Sequence, residues 1–142
     1  MSLSPNVRLL AVLALAVGVS ACGSSSPAAP DQSSIAYSQT DFTIGTGAEA
    51  TAGKTATVQY AGWLYSETGV DHKGAQFDAN VYTFVLGANQ VIKGFDTGVT
   101  GMKVGGTRRV IVPPSLAYGA TGNGPIPPNT AIVFDLGLTN VQ

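Results

Sequence analysis

The stretch KTATVQYAGWLY, residues 54–65, places apolar and small side chains at every second position over most of its length. Ala56, Val58, Tyr60, Gly62 and Leu64 share one face, while the residues between them share the other. A period of two residues is typical of a β-strand. The stretch therefore predicts a strand with one face buried in an antiparallel sheet.

Further strand signals occur on both sides of this stretch. They are DFTIGTG (41–47), VYTFVLG (81–87), TRRVIVP (107–113) and AIVFDLGLTNV (131–141). Gly105 and Gly106 predict a tight turn that leads into the third of them. Together these segments predict an antiparallel sheet of five to six strands.

The segment NQVIKGFDTGVTGM, residues 89–102, has a different period. Val91, Phe95, Val99 and Met102 recur at spacings of four, four and three, which favours a short helix. Glycines inside the segment weaken its helix propensity, so the helix has to be stabilised by packing. One short helix packed on a five- to six-stranded sheet predicts a small α+β domain.

The composition limits the classes of protein that the chain can belong to. Hydrophobic residues make up 44% of the 142 residues and charged residues 11%, enough apolar material for one folded domain with an appendage. The formal net charge is −1, which provides no electrostatic basis for binding nucleic acid or an anionic membrane surface.

The N-terminus has the layout of an export signal. Arg8 precedes an apolar run of eleven residues, 9–19, and small residues follow it. Spanning a bilayer takes about 20 residues, so the run matches a secretory signal peptide better than a membrane span. A buried core helix is the alternative, but the run has neither a polar face nor a cap. Residues 1–21 are therefore predicted to be a signal peptide.

The residues VSAC, 19–22, resemble the lipobox of bacterial lipoproteins. Cys22 is the only cysteine of the chain, so no internal disulfide can form, and lipidation of Cys22 is predicted. The alternative is an ordinary signal peptide with an incidental cysteine. Lipidated Cys22 and the flexible Ser/Pro/Ala linker occupy 22–34, and the folded domain is expected at 35–142. The location implied is the bacterial cell envelope, with the domain in the periplasm or at the cell surface.

Several catalytic groups are missing from the sequence. His72 is the only histidine, and its polar surroundings predict an exposed loop position. A Ser–His–Asp triad or a zinc site would depend on that one residue. No phosphate-binding or dinucleotide-binding glycine pattern is present. Hydrolysis and cofactor redox chemistry are therefore disfavoured, and neither a cofactor nor a metal is expected.

Aromatic and large apolar residues are more numerous than strict strand alternation requires. The stretch YGATGNGPIPPNTAIVFDL, residues 118–136, brings Tyr118, a proline-rich loop and Phe134 close together along the chain. Pro127 and Pro128 restrict that loop. Asp78 follows Phe77 at the edge of the aromatic set. Aromatic walls with a few polar groups predict a small-ligand pocket.

Four motifs make this prediction specific: VQYAGWLY, GAQFDAN, FVLGANQVIKGFDTGVTGMKVGG and YGATGNGPIPPNTAIVFDLGL. Their order and spacing resemble those of the FKBP-type peptidyl-prolyl cis-trans isomerases, the tacrolimus- and rapamycin-binding immunophilins. The likeness extends from about residue 41 to the end of the chain. It implies a twisted antiparallel sheet wrapped around one short helix, with the substrate pocket between helix and sheet.

The resemblance also implies the site residues. The implied catalytic residues are Tyr60, Phe77, Asp78, Tyr82, Phe95, Tyr118 and Phe134. The implied substrate-binding residues are Gln90, Val91, Ile92 and Ile126. In this scheme Phe95 supports the proline ring, while the Ile92 N–H and the Tyr118 hydroxyl hold substrate carbonyl groups. For Tyr118, a purely structural tyrosine bonded to a loop is the alternative.

The chain departs from the family at two of these positions. Phe95 stands where many eukaryotic members have tryptophan. The strand that leads to Tyr82 is short, and the arginine that often partners the pocket aspartate has no counterpart, which leaves the partner of Asp78 open.

The function implied is acceleration of Xaa–Pro bond rotation in exported proteins, which assists their folding. Expected partners are proline-containing polypeptides, tacrolimus or rapamycin as inhibitors, and the membrane through Cys22; a monomer is expected. A non-catalytic module that binds proline-containing or unfolded segments is the first alternative. An anchored structural lipoprotein is the second.

Overall fold

The computed structural model describes residues 30–142. The predicted signal peptide and Cys22 lie outside the described residues. Within them, the secondary structure comprises five strands and one α-helix: β1 (Ser38–Thr43), β2 (Thr55–Tyr65), β3 (Lys73–Val85), α1 (Lys93–Val99), β4 (Thr107–Val112) and β5 (Ile132–Val141). Two short 3₁₀ turns, Val70–His72 and Pro114–Leu116, lie in the connections.

The five strands form one sheet in the order β1-β4-β5-β2-β3, and every neighbouring pair is antiparallel. The helix packs on one face of this sheet, mainly against β4 and β5. The predicted α+β class with a five- to six-stranded antiparallel sheet and one short helix is confirmed.

The alternation of residues 54–65 corresponds to the two faces of β2. Ala56 and Val58 are fully buried in the core, and Tyr60 and Leu64 pack against it from the same face. β2 is hydrogen-bonded to β5 on one side and to β3 on the other. Because both neighbours are present, β2 is an interior strand. Its register with β3 and β5 sets which of their residues lie together on the face that the helix covers.

The strand before the helix is longer than the sequence pattern predicts. The alternation indicates a strand only from residue 81, whereas β3 begins at Lys73 and has 13 residues. Pairing with the 11-residue β2 extends it, since Ala61 lies opposite Ala79 and Gly62 opposite Asp78. The residues between 73 and 80 are mostly exposed, and that is why they carry no clear apolar period.

The helix approaches the sheet closely because two of its residues have no side chain. Gly94 and Gly98 are buried and face Val112 and Val110 of β4. A Cβ on Gly98 would lie 2.9 Å from Val110 Cγ1, nearer than side-chain carbons approach one another. The glycines that lower helix propensity therefore permit the contact that stabilises the helix.

A buried arginine joins the N-terminal strand to the end of the helix. Arg108 on β4 is only 7% exposed. Its guanidinium donates to the carbonyl oxygens of Gly98 (2.9 Å) and Thr100 (3.2 Å) and to the carboxylate of Asp41 on β1. The Arg108 hydrogen bonds lower the pKa of Asp41. The two carbonyl bonds hold the end of α1 against β4. The cluster is costly to break, because removing one partner leaves a buried charge unpaired.

The folded part begins before the predicted boundary at residue 35. The Gln32 N–H donates to the Asn129 carbonyl (3.0 Å), and the Gln32 side-chain oxygen accepts from the Ala131 N–H (2.8 Å). The end of the predicted linker is therefore bonded to the domain.

Among the described helices, none combines the length and the apolar character needed to cross a bilayer.

The close helix–sheet contact predicts that Gly94→Ala destabilises the domain. The added methyl would lie 2.9 Å from Val112 Cγ2 and closer still to Cγ1. Alanine gains about 1 kcal/mol in helix propensity, but overpacking costs about 1–3 kcal/mol, so we expect a net loss. Urea unfolding measures it, with Thr97→Ala on the exposed side of α1 as the control. A Gly94→Ala domain as stable as the wild type would contradict this packing.

Candidate active site

A cavity of about 200 Å³ lies between the helix and the sheet. Strands β2, β3 and β5, the helix and two loops each contribute to its walls. It is lined by Tyr60, Phe77, Asp78, Tyr82, Gln90, Val91, Ile92, Phe95, Tyr118 and Phe134. The structure thus brings together ten of the eleven residues that the resemblance implies for catalysis and substrate binding; their roles stay predictions.

Aromatic rings packed edge to face form the floor of the cavity. Phe95 lies at the centre, with its ring 5.1 Å from that of Phe134 and 5.4 Å from that of Tyr60, both nearly perpendicular to it. Phe84 supports Phe95 from below at 5.6 Å. Phe77 closes one side against Phe134 at 5.8 Å. Such T-shaped contacts are favourable for aromatic pairs and hold each ring in one orientation.

Gly62 packs against two rings of the cavity, and sequence reasoning did not identify it as functional. A Cβ at Gly62 would lie 2.7 Å from the ring of Phe77 and 2.8 Å from the ring of Phe134. The missing side chain on β2 therefore makes room for two rings of the cavity. The only signal in the sequence is a glycine at an apolar-face position of a strand, a common mark of close approach.

Asp78 is bound by a tyrosine. The Tyr60 hydroxyl donates to the Asp78 carboxylate at 2.6 Å, and the Ala79 N–H donates to its other oxygen at 2.9 Å. No cation pairs with Asp78 among residues 30–142. Burial, followed by the hydrogen bond to Asp78 and its charge, raises the pKa of Tyr60 to about 12. Tyr60 is therefore the partner that the sequence left open.

The hydrogen-bond donors of the lining that have no partner in the described part of the chain include a backbone N–H and a phenol hydroxyl. One is the N–H of Ile92, the residue just before α1, and the other is the Tyr118 hydroxyl. The Tyr118 loop is held by its backbone instead, since the Tyr118 carbonyl accepts from the Gly122 N–H at 3.1 Å. Both donors are free to bind carbonyl groups of a ligand in the cavity.

The loop between β3 and α1 is fixed by two side chains. The Gln90 side-chain oxygen accepts from the Val85 N–H at the end of β3 (2.9 Å). From the helix, the Asp96 carboxylate accepts from the Gly87 N–H at 2.9 and 3.2 Å. Gln90 was implied as a ligand contact on the rim, but its amide oxygen is turned to the backbone and holds the loop.

Ile126 is the implied site residue that the structure places elsewhere. It is 4% exposed and belongs to the hydrophobic core, and it does not line the cavity. A tight turn causes this burial, because Asn123 and Ile126 exchange two backbone hydrogen bonds of 2.9 Å and the side chain points inward.

His72 is exposed, as expected, and stacks on Tyr65.

A larger groove of about 590 Å³ lies on the other face of the sheet. Its walls include residues with short side chains, such as Ala61, Ala79 and Gly137, and the exposed Phe42 and Val81. Of the predicted site residues it shares only Tyr60. The smaller cavity is the better candidate because enclosing rings and unpaired polar groups converge on it.

These features define a small α+β domain with a ring-lined cavity between its helix and its sheet. A sequence model of the FKBP-type peptidyl-prolyl cis-trans isomerases matches residues 46–139. The chain is 41% identical over 107 residues to the FK506-binding protein of Neisseria meningitidis, covering 71% of this chain and 92% of that protein. The chain belongs to the FKBP-type peptidyl-prolyl cis-trans isomerase family.

Other relatives are longer or have solved structures. The 46 kDa FK506-binding nuclear protein of Spodoptera frugiperda is 43% identical over 107 residues, which cover 72% of this chain and 24% of that protein. The chain spans a quarter or less of the length of the first curated relatives that it matches.

Among solved structures, AtFKBP13 is similar with a TM-score of 0.65 and 31% identity, covering 79% of this chain and 98% of that one. For FkpA of Escherichia coli the TM-score is 0.64 and the identity 33%, covering 78% and 50%. Both likenesses include the sheet and the helix that enclose the cavity.

The raised pKa of Tyr60 predicts a loss of stability at alkaline pH. The phenol ionises at about 12 in the folded state against an ordinary value of 10.0, so its contribution to folding is complete below that ordinary value and is lost as the pH rises towards 12. Tyr60→Phe should remove this part of the pH dependence. Urea unfolding across this range, for wild type and variant, measures it. Parallel pH profiles of the two proteins would contradict the assignment.

Proposed function

We propose that the domain is a peptidyl-prolyl cis-trans isomerase that accelerates rotation about Xaa–Pro bonds in polypeptides. The proposal depends above all on one observation, the ring-lined cavity with unpaired donors at Ile92 and Tyr118. At about 200 Å³ the cavity is smaller than pockets for whole drug-sized ligands, which start at about 300 Å³. Its size suits a single ring, such as the pyrrolidine of proline.

Rotation about a peptide bond faces a barrier of about 18–20 kcal/mol, because resonance gives the C–N bond double-bond character. In the twisted transition state this resonance is lost and the carbonyl becomes less polar. An apolar cavity that excludes water favours the less polar state, so no covalent intermediate is needed. Each 1.36 kcal/mol removed from the barrier gives a tenfold higher rate.

The residues of the cavity divide this task. The Phe95 ring, only 5% exposed, supports the proline ring from the floor, and Tyr82, Val91 and Phe134 close around it. The Ile92 N–H and the Tyr118 hydroxyl bind carbonyl groups of the substrate on either side of the proline. Asp78, held by Tyr60, provides a polar edge without acting as a general base.

We further propose that tacrolimus and rapamycin inhibit the domain by inserting one ring into this cavity, which excludes the proline of the substrate. Several relatives carry FK506 binding in their names, which supports this ligand class. The proposed substrates are proline-containing segments of exported proteins, and the domain acts on them as a monomer. Its contribution to the cell is assistance in their folding.

Phe134→Ala and Asp78→Ala are expected to lower kcat/KM for a proline test peptide by about tenfold or more, the equivalent of about 1.4 kcal/mol of transition-state stabilisation. Phe134→Ala removes a wall of the cavity and Asp78→Ala removes its polar edge. A protease-coupled isomerisation assay measures the rates. Phe42→Ala is the matched control because Phe42 lies in the groove on the other face of the sheet, 57% exposed.

Three outcomes of this assay, combined with rapamycin binding, lead to different conclusions. Wild-type rates in both cavity variants, with unfolding curves that show intact domains, would remove the site assignment. Rapamycin binding by the wild type without measurable isomerisation would favour the alternative of a non-catalytic module for proline-containing segments. Activity that rapamycin inhibits would support the isomerase.

We also propose that the domain is tethered to a bacterial membrane by a lipid on Cys22 and faces the periplasm or the cell surface. The sequence VSAC at the end of an apolar run of eleven residues supports this location. Each buried CH₂ of an acyl chain contributes about 0.8 kcal/mol, so a lipid with several chains binds the membrane stably.

The tether predicts that the full-length chain expressed in bacteria incorporates labelled fatty acid and sediments with membranes. Cys22→Ser should lose both properties, because serine has no thiol to accept the lipid. Isomerase activity of the variant serves as the control for folding. Equal labelling of variant and wild type, or an unlabelled wild type, would contradict the lipid anchor.

A further inference from the structure

Strand β3 both lines the cavity and forms an edge of the sheet. It is hydrogen-bonded to β2 on one side, and on its other side no strand of the described residues pairs with it. The same strand contributes Phe77, Asp78 and Tyr82 to the cavity. A polypeptide that leaves the cavity on this side therefore meets an open strand edge.

Alternate residues of β3 direct their backbone N–H and C=O groups to the open edge. These residues are Ala79, Val81, Thr83 and Val85. Three of the four N–H groups already donate to side-chain oxygens at 2.8–2.9 Å. The Ala79 N–H donates to Asp78, the Val81 N–H to Asn80 and the Val85 N–H to Gln90. Such capping prevents unselective pairing of an exposed edge with other strands.

Thr83 is the position left without a cap. Its N–H has no acceptor among residues 30–142, while its hydroxyl is paired with that of Thr57 at 3.0 Å. In an antiparallel ladder, the two residues of each hydrogen-bonded pair exchange both N–H···O bonds, and these pairs alternate with pairs that exchange none. Thr83 can therefore accept one residue of an added strand, and the capped neighbours exclude the other registers.

We infer that a residue flanking the proline of the substrate pairs with the backbone of Thr83, so that the substrate adds an extended strand to the edge of β3. The inference rests on the proposed isomerase function. Thr83 follows Tyr82, which lines the cavity, and one residue along a strand advances about 3.3 Å. The cavity and the free edge position are thus continuous.

The position of Gln90 supports this geometry. Gln90 lies on the cavity rim, and its side-chain oxygen already bonds to the β3 edge at Val85. A group at the rim therefore reaches the edge donors. Because main-chain bonds carry the recognition, the favoured substrates are extended segments with free backbone N–H groups, largely independent of side-chain identity.

The inference is tested with three kinds of proline peptide: a short one, one extended on both sides of the proline, and extended ones with a single N-methylated residue. We expect extension to raise kcat/KM of the wild-type protein about tenfold, because pairing with the Thr83 N–H and carbonyl adds two hydrogen bonds. N-methylation at one flanking position should abolish the gain, because it removes the N–H that bonds to the Thr83 carbonyl.

Two variants examine the protein side of the same contact. Thr83→Pro removes the free N–H, and proline is tolerated at edge positions whose N–H points away from the sheet. The ratio of kcat/KM for extended and short peptides should then fall to about one. Thr83→Val loses only the hydroxyl bond to Thr57 and should keep the wild-type ratio.

The edge pairing would be overturned if the wild-type ratio of kcat/KM for extended and short peptides were near one, or if no N-methylated peptide lost the gain. Turnover of the short peptide would still support the isomerase in that case. The peptide series needs no variant, so it decides the question if Thr83→Pro does not fold. If no peptide is turned over, the proposed function fails. The pairing is then decided by calorimetry, which compares the affinities of the wild-type protein for the short, extended and N-methylated peptides.

Discussion

The close contact between a two-turn helix and the sheet is the constraint on which the rest of the domain depends. A helix of seven residues is unstable in isolation, so α1 exists because it is packed. Gly94 and Gly98 allow β4 to approach, and Arg108 bonds to the carbonyls at the end of the helix. This contact sets the height of Phe95 above the sheet and so the depth of the cavity.

The cavity follows from that placement. With Phe95 fixed, perpendicular contacts orient the rings of Tyr60 and Phe134, and Gly62 on β2 leaves the volume that the rings occupy. The polar groups are equally constrained, since Asp78 is bound by Tyr60 while Ile92 and Tyr118 retain donors for a ligand. A preorganised apolar site of this kind suits a reaction that needs desolvation and positioning and no nucleophile.

Much of the fold and most of the candidate site could be predicted from the sequence. The alternation of residues 54–65 reflects the buried face of β2, and the period of residues 89–102 reflects the buried side of α1. The extent of β3 could not be predicted, because its first half is an exposed edge without an apolar period. Ile126 was assigned to the cavity but is buried, since a turn between Asn123 and Ile126 directs its side chain inward.

The sequence by itself determined the period of each element, the ordered motifs and therefore the family, because side-chain periodicity depends on local backbone geometry. The tertiary structure alone decided which distant atoms meet. It made Tyr60 the partner of Asp78, turned Gln90 back to Val85 and left Thr83 as the uncapped position of the β3 edge. These contacts depend on strand register and on the approach of the helix, which arise only when the whole core packs.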